Sequence, residues 1–180
     1  MDNTMKKYIL KWELSGIVFV FMVGALLHFL FEWSGESRIV APFASVNESV
    51  WEHFKQGFWP ICLFAVIEYL FPKIRVRNFL PAKAMAVYII PIITGLVFYS
   101  YTAILGEEIL VVDILIFLVA VIIGQLISNR IMTSSDLPRY INTIATIFII
   151  MLALILIITT FYPPHLPIFL DDNTGMYGIP

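Results

Sequence analysis

A chain of 180 residues that is 60% hydrophobic and only 13% charged, with a mean hydropathy of +0.90, is an integral membrane protein by composition. The formal charge of −2 leaves no basic surface for nucleic acid, and the single cysteine, Cys62, excludes an internal disulfide framework and a cysteine-based metal site. The run lengths predict an all-α fold, one domain built as a bundle of five transmembrane helices, with no internal repeat.

Lys6, Lys7 and Lys11 precede an apolar run beginning at Leu14. It exceeds a typical signal-peptide core and no small-residue cleavage site follows, so it reads as a retained first span, from Trp12 to Phe31. Trp12 and Lys11 anchor one end at an interface, and His28 and Glu32 mark the other. Span two, Val46 to Phe71, is the unusual one. Its apolar run, Phe58 to Phe71, has only 14 residues, whereas crossing a hydrocarbon core takes about 20. The helix must therefore borrow from its polar end, drawing Glu52, His53 and Lys55 toward membrane depth, and Pro60 is expected to kink it.

Wound at 100° per residue, that end places Glu48, Ser49, Glu52, His53, Lys55 and Gln56 on one face and Val50, Trp51, Phe54 and Phe58 on the other. A charge facing lipid at mid-bilayer costs about 2.5–3.5 kcal/mol, so the polar face must turn to protein or to a wet cavity. A blander account covers part of this: Ser45-x-x-Glu48 and Ser49-x-x-Glu52 both match a capping box, and acids suit a helix N-terminus. Capping explains neither His53 nor Asn47.

The basic segment Pro72 to Lys83 comes next, and Glu68 is expected to pair there with Lys73 or Arg75. Span three, Ala82 to Leu105, is interrupted by Pro91 and Gly95. After Gly106-Glu107-Glu108, span four runs from Ile109 to Ser128, with Asp113 near its start either capping it or joining the polar cluster. Span five, Ile141 to Phe161, has no ionisable residue. Residues 162–180, rich in proline and glycine, read as an irregular tail folding over the outer end of the bundle. With the N-terminus cytoplasmic, nine of the eleven basic residues fall inside. Nine of the thirteen acids and all three histidines fall outside, with the tail.

That sorting collects at one end nearly every residue able to ligate a metal or move a proton. Three neutral imidazoles, His28, His53 and His165, could hold Zn²⁺ or another divalent metal with one position open for water. Glu52 would act as general base, with Asn47 or Asp171 orienting a ligand and Glu32 as an alternative ligand. No HExxH motif is present, and a lone interfacial histidine more often simply hydrogen-bonds. Two other readings use the same residues: a small proton- or cation-coupled transporter or solute-binding protein, with a polar route continuing toward Glu68, and a non-catalytic assembly subunit whose acidic rim binds a cation, peptide or lipid headgroup. Asp171-x-Asn173-x-Gly175 lacks the downstream glutamate of a calcium loop. The aromatic residues are assigned to interface belts and packing, and a homo-oligomer is possible.

The segments HFLFEWSG (His28 to Gly35), VNESVWEHFK (Val46 to Lys55) and FYPPHLPIFLDDNTGMYGI (Phe161 to Ile179), with the IIGQLIS run of span four, resemble a family of small multi-pass membrane proteins found chiefly in Gram-positive bacteria and known only as a domain of unknown function. Asp172 stands where that pattern has proline. The resemblance implies a bacterial plasma membrane location and no activity.

Overall fold

The computed structural model describes residues 1–71 and 74–179. Among the described residues five α-helices follow one another: α1 (Asn3–Trp33), α2 (Val50–Leu70), α3 (Phe79–Leu105), α4 (Leu110–Met132) and α5 (Tyr140–Phe161). A 3-10 turn at Pro167–Phe169 and one bridge between Leu170 and Tyr177 give the tail a defined path. The first four helices form a ring in which α1 and α3 each pack against α2 and α4, and α5 lies outside it, chiefly against α3. Helices α1, α3, α4 and α5 are long and apolar enough to cross a membrane, whereas α2 carries buried ionic groups along its length.

The ends of the helices follow their caps. Asp2 accepts the Met5 N–H at 2.7 Å, so α1 starts well before Trp12. It stops at Gly35, whose φ of +68° is the left-handed conformation that glycine adopts without a Cβ penalty. Ser49 caps α2, accepting the Glu52 N–H at 3.4 Å, so this helix begins at Val50 and not at Val46. Only half of that capping box forms, because the Glu52 carboxylate turns to the Val46 N–H at 3.1 Å. The other expected box does not form: Ser45 Oγ donates to the Glu52 carbonyl at 3.2 Å.

The middle of the ring is a dry layer of Val20, Phe58, Ile61, Val87, Ile90 and Val121. Helix spacing there is tight: a Cβ on Gly57 or Gly124 would lie 2.7 or 2.8 Å from Ile90 side-chain carbons. One turn or more below this layer, all four ring helices meet at an ionic knot. Lys83 of α3 contacts Glu13 of α1 at 2.7 Å and Glu68 of α2, and Ser128 of α4 donates to Glu13 at 2.8 Å. All four residues are buried. This corrects the expected partner of Glu68: Arg75 instead lies over the Tyr69 ring, and Lys73 is outside the described residues. A carboxylate withdrawn from water is tolerable only beside a cation and donors, and Lys83 supplies the cation from within the bundle.

Candidate functional site

The opposite end of the ring is organised by the loop joining α1 to α2. Residues 37–44 fold into consecutive turns, and Phe31, Ala41, Ala44 and Val46 bury together with Ile179 of the tail against them. Lys55, fully buried, holds this loop from below. Its ammonium donates to the Ala41 carbonyl at 2.9 Å, the Ala44 carbonyl at 3.1 Å and the Glu52 carboxylate. Trp59, one turn further along α2, donates its indole N–H to the Pro42 carbonyl at 3.0 Å. An ammonium has three protons and no acceptor capacity, and here each proton has a partner.

Fixing the loop in this way brings Glu48 over the start of α2, between two imidazoles. His53 Nε2 lies 3.4 Å from one Glu48 carboxylate oxygen and His28 Nε2 lies 3.8 Å from the other. The two rings have centroids 5.2 Å apart. One ligating atom from each of His28, Glu48 and His53 falls within 4.8 Å of the others. The far nitrogens of both rings are anchored: His53 Nδ1 donates to the Ser49 carbonyl at 2.8 Å, and His28 Nδ1 lies 3.1 Å from the Gln56 amide nitrogen, which also donates to Ser45 Oγ at 3.1 Å. The hydrogen bond from His53 pulls the Glu48 carboxyl below its ordinary range, and the charges of His53 and His28 act in the same direction against partial desolvation.

These three side chains line a cavity of about 540 Å³ enclosed by α1, α2, α3 and α4. Asp113 and Glu108 line it from the α4 side, together with Phe21, Phe29 and Phe117. Asp113 does not cap α4; it accepts the Tyr101 hydroxyl at 2.6 Å.

The other expected site residues go elsewhere, for stated reasons. Glu52 is not free to serve as a base, since it is buried and held by Lys55 and the Val46 N–H. Asn47 is engaged on both sides: its amide donates to the Gly178 carbonyl at 2.7 Å and its carbonyl accepts the Ser49 N–H at 2.9 Å, tying the tail to the head of α2. His165 does not join the other histidines but stands exposed on the tail, its ring 4.6 Å from that of Tyr177. Asp171 is buried and caps its own turn through the Asn173 N–H at 2.9 Å. Glu32 points out of the bundle, exposed. Two site residues carry a signal that sequence patterning underused. Gln56 shares the helical face of Glu52 and His53, and Glu108 borders the start of the helix bearing Asp113.

The chain matches the family of unknown function DUF6512 over residues 1–179 and belongs to it. No curated protein and no solved structure matches.

Proposed function

We propose that this DUF6512 protein is a metal-dependent membrane hydrolase, with His28, His53 and Glu48 holding a divalent cation such as Zn²⁺ at the head of the cavity. The convergence of their three ligating atoms within 4.8 Å carries the reading. Two imidazoles and a carboxylate are a common catalytic zinc set, which leaves a fourth position for water. The anchored far nitrogens support it as well. A metal-binding imidazole generally gives its other N–H to a carbonyl or carboxylate, and His53 has the Ser49 carbonyl at hand. Turning the Gln56 amide over brings its oxygen to His28 Nδ1 and frees Nε2 for the metal.

With Nδ1 giving its proton to the Ser49 carbonyl, His53 Nε2, 3.4 Å from Glu48, is the nitrogen that would face the cation. A bound divalent ion would supply Lewis-acid chemistry there, lowering the pKa of a water toward about 7 for hydrolysis of a carbonyl or phosphoryl group. Glu52 is committed to Lys55, so the proton of that water would pass to solvent. The leaving oxygen departs with a proton from solvent.

In this reading α2 is a fifth span. Its 21 residues measure about 32 Å, enough for a core of about 30 Å. The charge asymmetry then puts the site at the extracytoplasmic face, and the resemblance suggests a bacterial plasma membrane. The transporter alternative needs a polar route from His53 to Glu68. On all four ring helices the dry layer of Val20, Phe58, Ile90 and Val121 intervenes, which argues against it.

Elemental analysis of protein purified without chelators tests the proposal. Roughly one divalent ion per chain is expected for the wild type, lost in His28→Ala, His53→Ala and Glu48→Gln. A metal-free wild type that also fails to take up added zinc overturns it.

A further inference from the structure

Building on the metal-dependent reading of the same site, we infer that the cavity takes a single-chain amphiphile with a zwitterionic head. Its phosphate or ester lies at His28, His53 and Glu48, its amine faces Glu108 and Asp113, and its chain leaves between α1 and α4.

The cavity has two kinds of wall. Its polar end is acidic, and among the described residues no lysine or arginine lines it, so a head bearing only negative charge has nothing there to neutralise it beyond the metal. Glu108 and Asp113 complement a cationic group instead. Away from them, Phe21, Phe29, Ile114 and Phe117 present an apolar surface. Phe29, Leu110 and Ile114 are exposed, and each belongs both to the cavity and to the outer surface of a helix with membrane-spanning character. Val18 and Met22 of α1 and Val111 and Leu115 of α4 are exposed as well, which suits a rim between these helices that faces lipid. Toward the bundle centre the cavity ends where Phe117 packs over Gly24, whose added Cβ would lie 2.9 Å from that ring. About 540 Å³ equals the volume of about 18 liquid waters at about 30 Å³ each. A head and the first part of one chain fit, and the remainder must lie outside, against the apolar rim. A wholly polar substrate would leave the aromatic walls unused and wet.

Zinc-loaded protein in lipid nanodiscs is incubated with lysophosphatidylethanolamine carrying a photoreactive group in its chain, and adducts are mapped by mass spectrometry. Adducts are expected on the walls formed by residues 25–29 and 110–117. They are lost in Ala25→Trp, which fills the rim, and excess lysophosphatidylethanolamine competes better than lysophosphatidylglycerol. Ile114→Trp makes the same test from the opposite wall if Ala25→Trp folds poorly. Adducts spread evenly over the lipid-facing helices, α5 included, and unchanged by either variant overturn the inference, and stronger competition by the anionic lipid overturns the assigned head. Metal content of the same samples separates the two proposals. Cavity adducts without bound zinc remove the hydrolase and keep the amphiphile site, and bound zinc with evenly spread adducts does the reverse.

Discussion

Replacing Lys55 with methionine removes the buried cation that holds the α1–α2 loop from beneath. The side chain is fully buried, and its ammonium serves the Glu52 carboxylate and the carbonyls of Ala41 and Ala44. Methionine has similar length and fills much of the same space, so the loss is electrostatic and not a cavity. Breaking a buried pair by deleting one partner costs about 3–5 kcal/mol, because the remaining charge stays dry. Each stranded carbonyl adds about 1–3 kcal/mol unless water reaches it. The three contacts share one ammonium and do not add, so about 3–5 kcal/mol is expected for the set, a large part of the ~5–15 kcal/mol that a typical fold has in reserve.

Denaturant unfolding in detergent micelles measures this loss. Trp59, bonded to the Pro42 carbonyl, reports on the loop through its fluorescence. Glu52→Met combined with Lys55→Met removes both charges. If the pair only balanced itself, that double variant would recover nearly all the stability, as apolar replacements of buried pairs often do. Here the Val46 N–H and two carbonyls stay orphaned, so it should remain at least about 2 kcal/mol below the wild type. A Lys55→Met protein within about 1 kcal/mol of the wild type, with unchanged Trp59 emission, would refute the reasoning.

Lys83→Met should cost about 3–5 kcal/mol in the same assay, since it leaves Glu13 and Glu68 buried together without their shared cation. Gly16→Ala should cost about 1–3 kcal/mol through overpacking, because the new Cβ would lie 2.1 Å from Gln125 Nε2 and 2.6 Å from a Phe64 ring carbon. Asn47→Ala releases the Gly178 carbonyl and should make the tail a substrate for limited proteolysis while leaving the metal content unchanged. Glu48 has a depressed pKa, so its contribution to stability is complete above the ordinary carboxylate range of about 4.3 and disappears as pH falls through the lower folded value. Thermal unfolding of wild type and Glu48→Gln should therefore differ near neutral pH and converge in strong acid; a difference that persists there contradicts the assignment.

Helix number and order were legible along the chain because each helix is an apolar run closed by caps, charges or glycine, and those signals are local. The polar face at the head of α2 was legible for the same reason: Glu52, His53 and Gln56 fall on one side at helical spacing, whereas Glu48 precedes the helix and is placed by the loop. The roles within that face were not. Glu52 and Glu48 are both acids near a helix start, and spacing cannot separate the one clamped by Lys55 from the one left beside two histidines. Nor could it show that the tail would bring Gly178 to Asn47 and leave His165 outside. Glu13 carried an unread signal, an acid inside the first predicted span, whose partners Lys83 and Ser128 lie on two other helices.

The sequence by itself determined a membrane-type, all-helical chain with its ionisable groups gathered at the helix ends, since composition and periodicity act residue by residue. Only the tertiary structure decided which of those groups meet. A buried charge goes to whichever partner the helix packing brings within hydrogen-bonding reach, and that distance is set by the dry layer of Ile90 against Gly57 and Gly124 and by the folded loop above it.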